Sequence, residues 1–438
     1  MASIDANPAS GTRDLLPDDV LRRERAFAAI RDTFAAHGFA PLETPAFERL
    51  EVLTGKYGDE GDQLIFKILR RGEHEASGDA DLALRYDLTV PLARVAARYG
   101  SQLPTPFKRY QIAPVWRADR PGKGRYREFY QCDVDTIGSD SLTADAATLV
   151  AVTDALTALG LDGFRVQLNS RQALRGLVEA YGIEVAQESD ALVALDKLDK
   201  IGLDGVAREL TGRGIPAPAI AALEADLGAD DPASAVRARL ERSETGQAGL
   251  AEVDRVLDLV GDAVPVTYAP VLARGLSYYT GPVFEVVHDG LDATIAAGGR
   301  YDGLIGMFQS SDVPATGGSL GLERILLLLE AAEAGLAGPA GPDVLVTVMD
   351  EDGAADALAL AARLRATGLT VEPYSGGGRL KLAKQLKYAD RRGVRLAVLR
   401  GADERAAATV TCKSLASGEQ RTVPLADLEA TVTDLLAG

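Results

Sequence analysis

Apolar residues recur at helical spacing from Pro17 to His37, where Leu21, Phe27, Ile30 and Phe34 share one stripe. Acidic residues fill the first turn and Gly38 stands where the chain should leave the helix, so a long amphipathic helix is predicted. Phe39 to Leu53, broken by Pro41 and Pro45, reads as extended chain. Leu82 to Asp87 reads as a short strand passing through a Thr-Val-Pro turn into a helix from Leu92 to Tyr99. Within Phe107 to Gln131, two β-rich, aromatic-studded runs flank a loop of Pro, Gly, Lys and Arg, the pattern of an antiparallel hairpin. An Ala-rich helix follows over Asp145 to Leu159.

The pattern then changes. From about Leu174 to Val260 the chain is nearly all Ala, Leu, Glu, Asp and Arg in helical runs punctuated by Gly and Pro, which predicts a helical insertion. Strand chemistry returns at Val264 to Leu272 and Tyr278 to His288, followed by glycine clusters at Ala297 to Gly303 and at Gly317 to Arg324, the second leading into a helix. One β-rich body is thus split by a helical block. Gly335 to Pro342 has linker composition. Beyond it, strand runs at Asp343 to Met349, Leu369 to Tyr374 and Arg395 to Arg400 alternate with helices Ala354 to Ala366 and Leu380 to Arg391, implying a small domain with a largely parallel sheet. A strand pair, Ala408 to Leu415 and Gln420 to Leu425, and a final helix complete it.

Size and charge narrow the function. The 438 residues are 47% hydrophobic and 25% charged, ordinary globular composition, and suggest about three domains at ~150 residues each. The net charge of -17, from 47 Lys and Arg against 64 Asp and Glu, disfavours non-specific attraction to nucleic acid or anionic membrane. Any polyanion must therefore meet a local basic patch. Arg117, Arg120, Lys123, Arg125 and Arg127 form one such cluster, and the stretch from Arg379 to Arg395 forms another. Cys132 and Cys412 are far apart with no Cys-x-x-Cys partner, so neither a disulfide framework nor a zinc site is expected, and His37, His74 and His288 lie in no metal-ligand spacing. The N-terminus has no basic-then-apolar leader pattern, and the longest strongly apolar run, Ile325 to Leu329, stops at Glu330. A cytoplasmic protein without a membrane segment is the expectation.

Several clusters could carry chemistry. Arg117 emerges from a strand beside a Gly-rich loop, where a guanidinium can hold an α-phosphate as charge builds on phosphorus. Arg324 opens a helix behind Gly317-Gly-Ser-Leu-Gly, where glycines permit close backbone approach by a ligand. Arg274 with Tyr278 and Tyr279 places a cation and aromatic rings beside bare backbone, and Asp87 with Thr89 offers a carboxylate and a hydroxyl to an ammonium group. Taken singly, each also reads blandly: a solvated basic hairpin, tight helix packing, tyrosines half-buried on a sheet, a helix cap. Neither a Gly-x-x-x-x-Gly-Lys-[Ser/Thr] loop nor a Gly-x-Gly-x-x-Gly after a first strand is present, so phosphate would be gripped by side chains.

Taken together, these residues resemble a known family. The segment around Pro45 and Phe47, the hairpin from 107 to 138, and Gly317 to Leu327 resemble motifs 1, 2 and 3 of class II aminoacyl-tRNA synthetases. Leu272-Ala-Arg-Gly-Leu-Ser-Tyr-Tyr-Thr-Gly281 and Ala297-Gly-Gly-Arg-Tyr-Asp-Gly303 resemble the two histidine-specific motifs of the histidyl-tRNA synthetase family. Gly11-Thr-Arg-Asp-Leu-Leu-Pro17 and Leu84-Arg-Tyr-Asp-Leu-Thr89 match that family as well.

The resemblance implies an α+β fold with a class II antiparallel six-stranded sheet flanked by helices. Its parts would be a first catalytic segment over 1–170, a helical insertion over 171–262, a second catalytic segment over 263–335 and a C-terminal α/β anticodon-binding domain over 343–438. The implied reaction joins histidine to ATP as an adenylate and passes the histidyl group to tRNA(His), with Mg2+ on the pyrophosphate side, in a homodimer whose interface lies near Pro45. Arg117, Asp119, Arg125 and Arg324 would hold ATP, and Arg117, Arg274 and Arg324 would be catalytic. Asp87, Thr89, Gln131, Asp135, Arg274, Tyr278, Tyr279 and Tyr301 would bind histidine. Arg120 would face the tRNA acceptor end, and Lys381, Lys384, Lys387 and Arg391, three and four apart on one helix, would track RNA. No resident metal is implied. Two positions depart from the common pattern: Asp87 stands where many members carry Glu, and Ser277 where Asp is usual. The alternative is a non-catalytic relative that regulates ATP phosphoribosyltransferase. That type usually lacks the C-terminal domain, whereas this chain keeps it.

Overall fold

The computed structural model describes residues 4–55, 58–72, 77–273, 278–332, 341–376 and 381–437. Two compact units divide the chain, the second comprising Leu15–Arg22 and the residues from Ala337 onward.

The first unit is organised by strands β1 (Phe107–Trp116), β2 (Glu128–Ile137), β3 (Phe164–Ser170), β4 (Pro282–His288), β5 (Leu291–Arg300) and β6 (Ala315–Gly321). They lie side by side in the order β1-β2-β6-β5-β4-β3, every pair antiparallel. Short parallel strands, Ala40–Pro41 on β1 and Val266–Tyr268 on β3, extend this six-stranded centre to eight. Side chains alternate between faces. From β2 and β6, Cys132, Val134 and Leu320 enter the main core with Phe27, Ile30 and Phe34 of the helix Pro17–Ala36 and Leu149 and Val152 of the helix Leu142–Ala158. The intervening residues of the same strands, Gln131, Asp133, Asp135, Gly317 and Ser319, lie on the opposite face. The fold thus puts these polar positions and Gly317 together on one face of the sheet.

Several elements differ from their sequence-based outlines. The glycine clusters are largely strand, β5 running to Arg300 and β6 to Gly321, and the second leads, as expected, into the helix Leu322–Ala331. β3 is an additional strand, the strand expected over 264–272 is confined to Val266–Tyr268, and the helix expected from Leu92 already begins at Thr89. A separate three-stranded sheet joins Phe47–Arg49, Ala80–Leu84 and Lys67–Leu69. The predicted helical block is present as helices from Arg171–Ala180 to Glu244–Val260 around its own apolar cluster. Those two helices meet closely: a Cβ on Gly249 would lie 2.0 Å from the Ala173 nitrogen, so only glycine fits there.

The second unit holds a five-stranded sheet in the order Val371–Pro373, Val344–Val346, Leu396–Leu399, Thr409–Ser414, Gln420–Pro424. Its first three strands are parallel and its last two join antiparallel. Helices Ala354–Arg365, Leu382–Arg391 and Leu428–Ala437 complete it. Among the described residues, no helix is long and apolar enough to cross a membrane.

Candidate active site

The polar face of β2 is deeply buried. Arg109 on β1 sits opposite Asp135 in register, and its Nη2 lies 2.7 Å from Asp135 Oδ2, with 0% of the guanidinium exposed. Nη2 of Arg109 also donates to the Leu88 carbonyl at 3.3 Å. The Tyr301 hydroxyl donates to the other oxygen, Asp135 Oδ1. Burial pushes the Asp135 carboxyl up, and Arg109 pulls it back. Burial, reinforced by Asp135, holds the Tyr301 phenol well above its ordinary value, so it remains a donor. Gly317 faces Asp135 from β6, and a Cβ there would lie 1.9 Å from Asp135 Oδ1. Glycine is required here for room.

Tyrosines bound this floor. The Tyr278 ring lies 5.1 Å from Tyr279 and 6.1 Å from Tyr301, the latter edge-on at 77°. Gln131 Nε2 donates to Ser319 Oγ at 3.0 Å. Asp87 Oδ1 accepts from the Val90 nitrogen at 3.0 Å, holding the start of the helix Thr89–Tyr99, of which Thr89 is the first residue. The bland cap reading of Asp87 is therefore realised in the structure, and the cap fixes a carboxylate whose field reaches Asp133.

The hairpin loop is ordered by three parts of the chain. Arg117 Nε donates to the Tyr86 carbonyl at 3.0 Å, with the guanidinium 4.3 Å from the Tyr86 ring centre and 5.3 Å from that of Phe129. Arg125 pairs with Asp119 at 2.6 Å, so two expected nucleotide contacts meet each other, while Arg120 is exposed on the same loop. Gly124 packs against the helix Leu322–Ala331: a Cβ there would lie 3.0 Å from Leu327 and 3.4 Å from the Arg324 side chain. The loop and Arg324 are thus brought together. Arg324 Nη1 donates to the Thr294 carbonyl at 2.6 Å. The N-terminal segment secures the arrangement, with the Arg127 nitrogen donating to the Gly11 carbonyl at 2.8 Å and Arg13 lying 4.1 Å from the Tyr126 ring centre. Arg13 and Arg23 both pair with the buried Glu323, which precedes Arg324. Arg274 and Ser277 lie outside the described residues.

Sequence reasoning missed Arg109, Asp133 and Glu323 as members of this constellation. The signal for Asp133 is its place midway between Gln131 and Asp135 at strand period. For Arg109 the only signal is the hairpin register, which sets it opposite Asp135.

In the second unit, Lys381 immediately precedes the helix Leu382–Arg391 without a side-chain capping bond, and Lys384, Lys387 and Arg391 are exposed along it. Gln385, on the buried side, donates to the Val348 carbonyl at 2.6 Å and accepts from the Val348 nitrogen at 2.9 Å. This two-way bond fixes the helix rotation and leaves the basic stripe in water.

Residues 11–325 match the family model described as Histidyl-tRNA synthetase, and residues 343–435 match that of an Anticodon binding domain. The chain is 39% identical over 462 residues to the histidine–tRNA ligase of Gloeobacter violaceus, covering 98% of this chain and 97% of the relative. It is 41% identical over 441 residues to that of Christiangramia forsetii, covering 94% and 95%. The crystal structure of histidyl-tRNA synthetase from Nostoc sp. superposes with a TM-score of 0.80 at 32% identity, covering 99% of this chain and 100% of that one. The chain belongs to the histidyl-tRNA synthetase family.

Proposed function

We propose that the protein is a histidine–tRNA ligase: it joins histidine to ATP as histidyl-adenylate with release of pyrophosphate, then transfers the histidyl group to the 3' end of tRNA(His). The observation that carries this reading is the buried Arg109–Asp135–Tyr301 cluster, with the Tyr278 ring edge-on to Tyr301 and within reach of the Arg117 charge. Asp87, Thr89, Gln131 and Asp135 bind the amino acid's ammonium and imidazole, and Tyr278, Tyr279 and Tyr301 close around it. The histidine carboxylate attacks the α-phosphorus and pyrophosphate leaves. No enzyme nucleophile is needed, because positioning and cationic stabilisation supply the acceleration. Arg117 and Arg274 stabilise charge at the α-phosphate and the reacting carboxylate, Arg324 meets the γ-phosphate, and Asp119 and Arg125 bind the nucleotide.

Mg2+ enters with ATP as part of the substrate. Residues 1–170 and 263–335 act as the catalytic segments, 171–262 as the helical insertion, and 343–438 as the anticodon reader, with Lys381, Lys384, Lys387 and Arg391 along the RNA and Arg120 at the acceptor end. A second copy completes a cytoplasmic homodimer near Pro45. The match to an anticodon-binding domain favours the ligase over the regulatory alternative. Histidine-dependent ATP–pyrophosphate exchange, followed by charging of purified tRNA(His), tests the proposal. Exchange that does not depend on histidine would overturn it.

A further inference from the structure

We infer that Asp133, on β2 between Gln131 and Asp135, is a substrate-binding carboxylate that takes the α-ammonium of the amino acid jointly with Asp87. The inference deepens the proposed function and rests on it. Asp133 is 2% exposed, and its Oδ1 has no hydrogen-bond partner among the described residues. An unpaired carboxylate oxygen in the interior is costly, and native proteins keep one where a ligand completes it. Its neighbours sharpen the point. The Oε1 atoms of Gln131 and Gln111 are likewise buried without a partner among the described residues, and Gln111 pairs with Asp133 in register on β1. The Ser319 hydroxyl, opposite Asp133 on β6, holds the carboxylate by hydrogen bond.

The charges facing Asp133 come from several elements. Arg109 on β1 is the main cation; its Nη2 is paired with Asp135, while its Nε and Nη1 are buried without a partner among the described residues. Asp135 on its own strand and Asp87 before the helix Thr89–Tyr99 are further acids. The Tyr278 phenol also feels Asp133. Arg85 is close enough for its charge to be felt, yet its Nε and Nη1 donate to the carbonyls of Pro114 and Thr44. Asp133 and the acids around it therefore outnumber the cations that reach it. Burial pushes the Asp133 carboxyl up to about 7, so near neutral pH the empty site is partly protonated and the arrival of an ammonium ionises it. Where Asp87 is a side chain one methylene shorter than the usual Glu, Asp133 supplies the missing reach.

Titration calorimetry of the full chain with L-histidine and with imidazole-4-propionate, which lacks the amino group, tests this. Asp133→Asn should weaken histidine binding at least tenfold, leave imidazole-4-propionate within about twofold, and abolish the proton release that accompanies histidine binding near pH 7. Asn is isosteric and removes a buried like charge, so the fold should persist, with retained ATP affinity as the check. If it does not, Asp133→Glu keeps the charge and should retain the preference for histidine over imidazole-4-propionate. An unchanged histidine affinity, or equal losses for both ligands, would overturn the inference while leaving the ligase proposal standing. Only a wild-type chain that fails to bind histidine would remove both.

Discussion

Gly317→Ala is the smallest change that should disrupt the proposed amino-acid site. A Cβ at this position would stand 1.9 Å from Asp135 Oδ1 and 2.9 Å from the Val134 carbonyl oxygen. The carbonyl belongs to the β2 backbone and cannot retreat without breaking the β2–β6 ladder, so the carboxylate must move by more than about 1 Å to reach ordinary contact. Asp135 is held from two sides, by Arg109 at 2.7 Å and by the Tyr301 hydroxyl, and a displacement of that size sacrifices at least one of them. Misplacement by ~1 Å at a substrate-positioning group costs roughly a hundredfold in rate. Separately, a buried guanidinium deprived of its partner costs about 3–5 kcal/mol, an upper bound here because Asp135 moves and is not deleted. Histidine-dependent ATP–pyrophosphate exchange should therefore show kcat/KM for histidine reduced by roughly two orders of magnitude, KM for ATP little changed, and a lower denaturation midpoint. Gly303→Ala, where an added Cβ meets nothing within 4 Å, is the control and should leave both intact. Normal histidine kinetics in Gly317→Ala would refute the argument that Asp135 is placed by the bare backbone opposite it.

Three further outcomes are expected. Arg117→Ala and Arg274→Ala should each cost about 10²–10³ in the exchange rate, and Arg117→Lys should not restore it, because a guanidinium stacked between rings and aimed by a carbonyl is not replaced by a point charge; wild-type exchange in either Ala variant would take that side chain out of the mechanism. Because Asp133 titrates higher in the folded chain than unfolded, the folded state binds the extra proton, so this group's contribution to stability falls as pH rises from about 4 through 7; denaturation midpoints across that range should decline less in Asp133→Asn than in wild type, and parallel curves would contradict it. Replacing Lys381, Lys384, Lys387 and Arg391 together by Gln should leave exchange untouched, weaken tRNA charging and reduce the slope of log affinity against log salt by roughly 1 for each phosphate the stripe neutralises; an unaltered slope would mean the stripe does not touch RNA.

The hairpin and the long first helix are legible in the sequence because both are local patterns. Phe27, Ile30 and Phe34 repeat at helical spacing and are buried together, and the Pro-Gly-Lys-Gly turn sits between two strong β runs. The glycine strands are not legible, because β propensity measures side-chain packing and these strands have little to pack. A Cβ on Gly298 would lie 2.2 Å from the Gly317 carbonyl, so the residues that weaken the strand signal are those the sheet needs. β3 is a different kind of miss: Phe164, Val166 and Leu168 alternate with Arg165, Gln167 and Asn169, a short strand signal that stands directly beside a much longer helical block. Arg109 is hidden for a third reason. Alternation assigns a strand arginine to solvent, and only the cross-strand register, which sets it against Asp135, makes its burial tolerable.

The residues proposed to hold the nucleotide are already held in place by the fold, and the way they are held separates two kinds of arginine. Arg117 is fixed by the Tyr86 carbonyl and by the Tyr86 and Phe129 rings, so its rotamer entropy is already lost on folding and does not weaken binding. Its loop is tied to the N-terminal segment through Gly11 and to the Arg324 helix through Gly124, while Glu323 gathers Arg13 and Arg23 onto the same helix. Arg125 differs. Its side chain is 55% exposed, and its pair with Asp119 is of the solvent-screened kind worth roughly 0–1 kcal/mol. Exchanging that carboxylate for a phosphate oxygen therefore costs little, whereas Arg117 can be moved only by breaking contacts that the fold itself supplies. The pre-set cation is the one proposed for the reacting phosphate, and the exchangeable one is exposed on the hairpin loop.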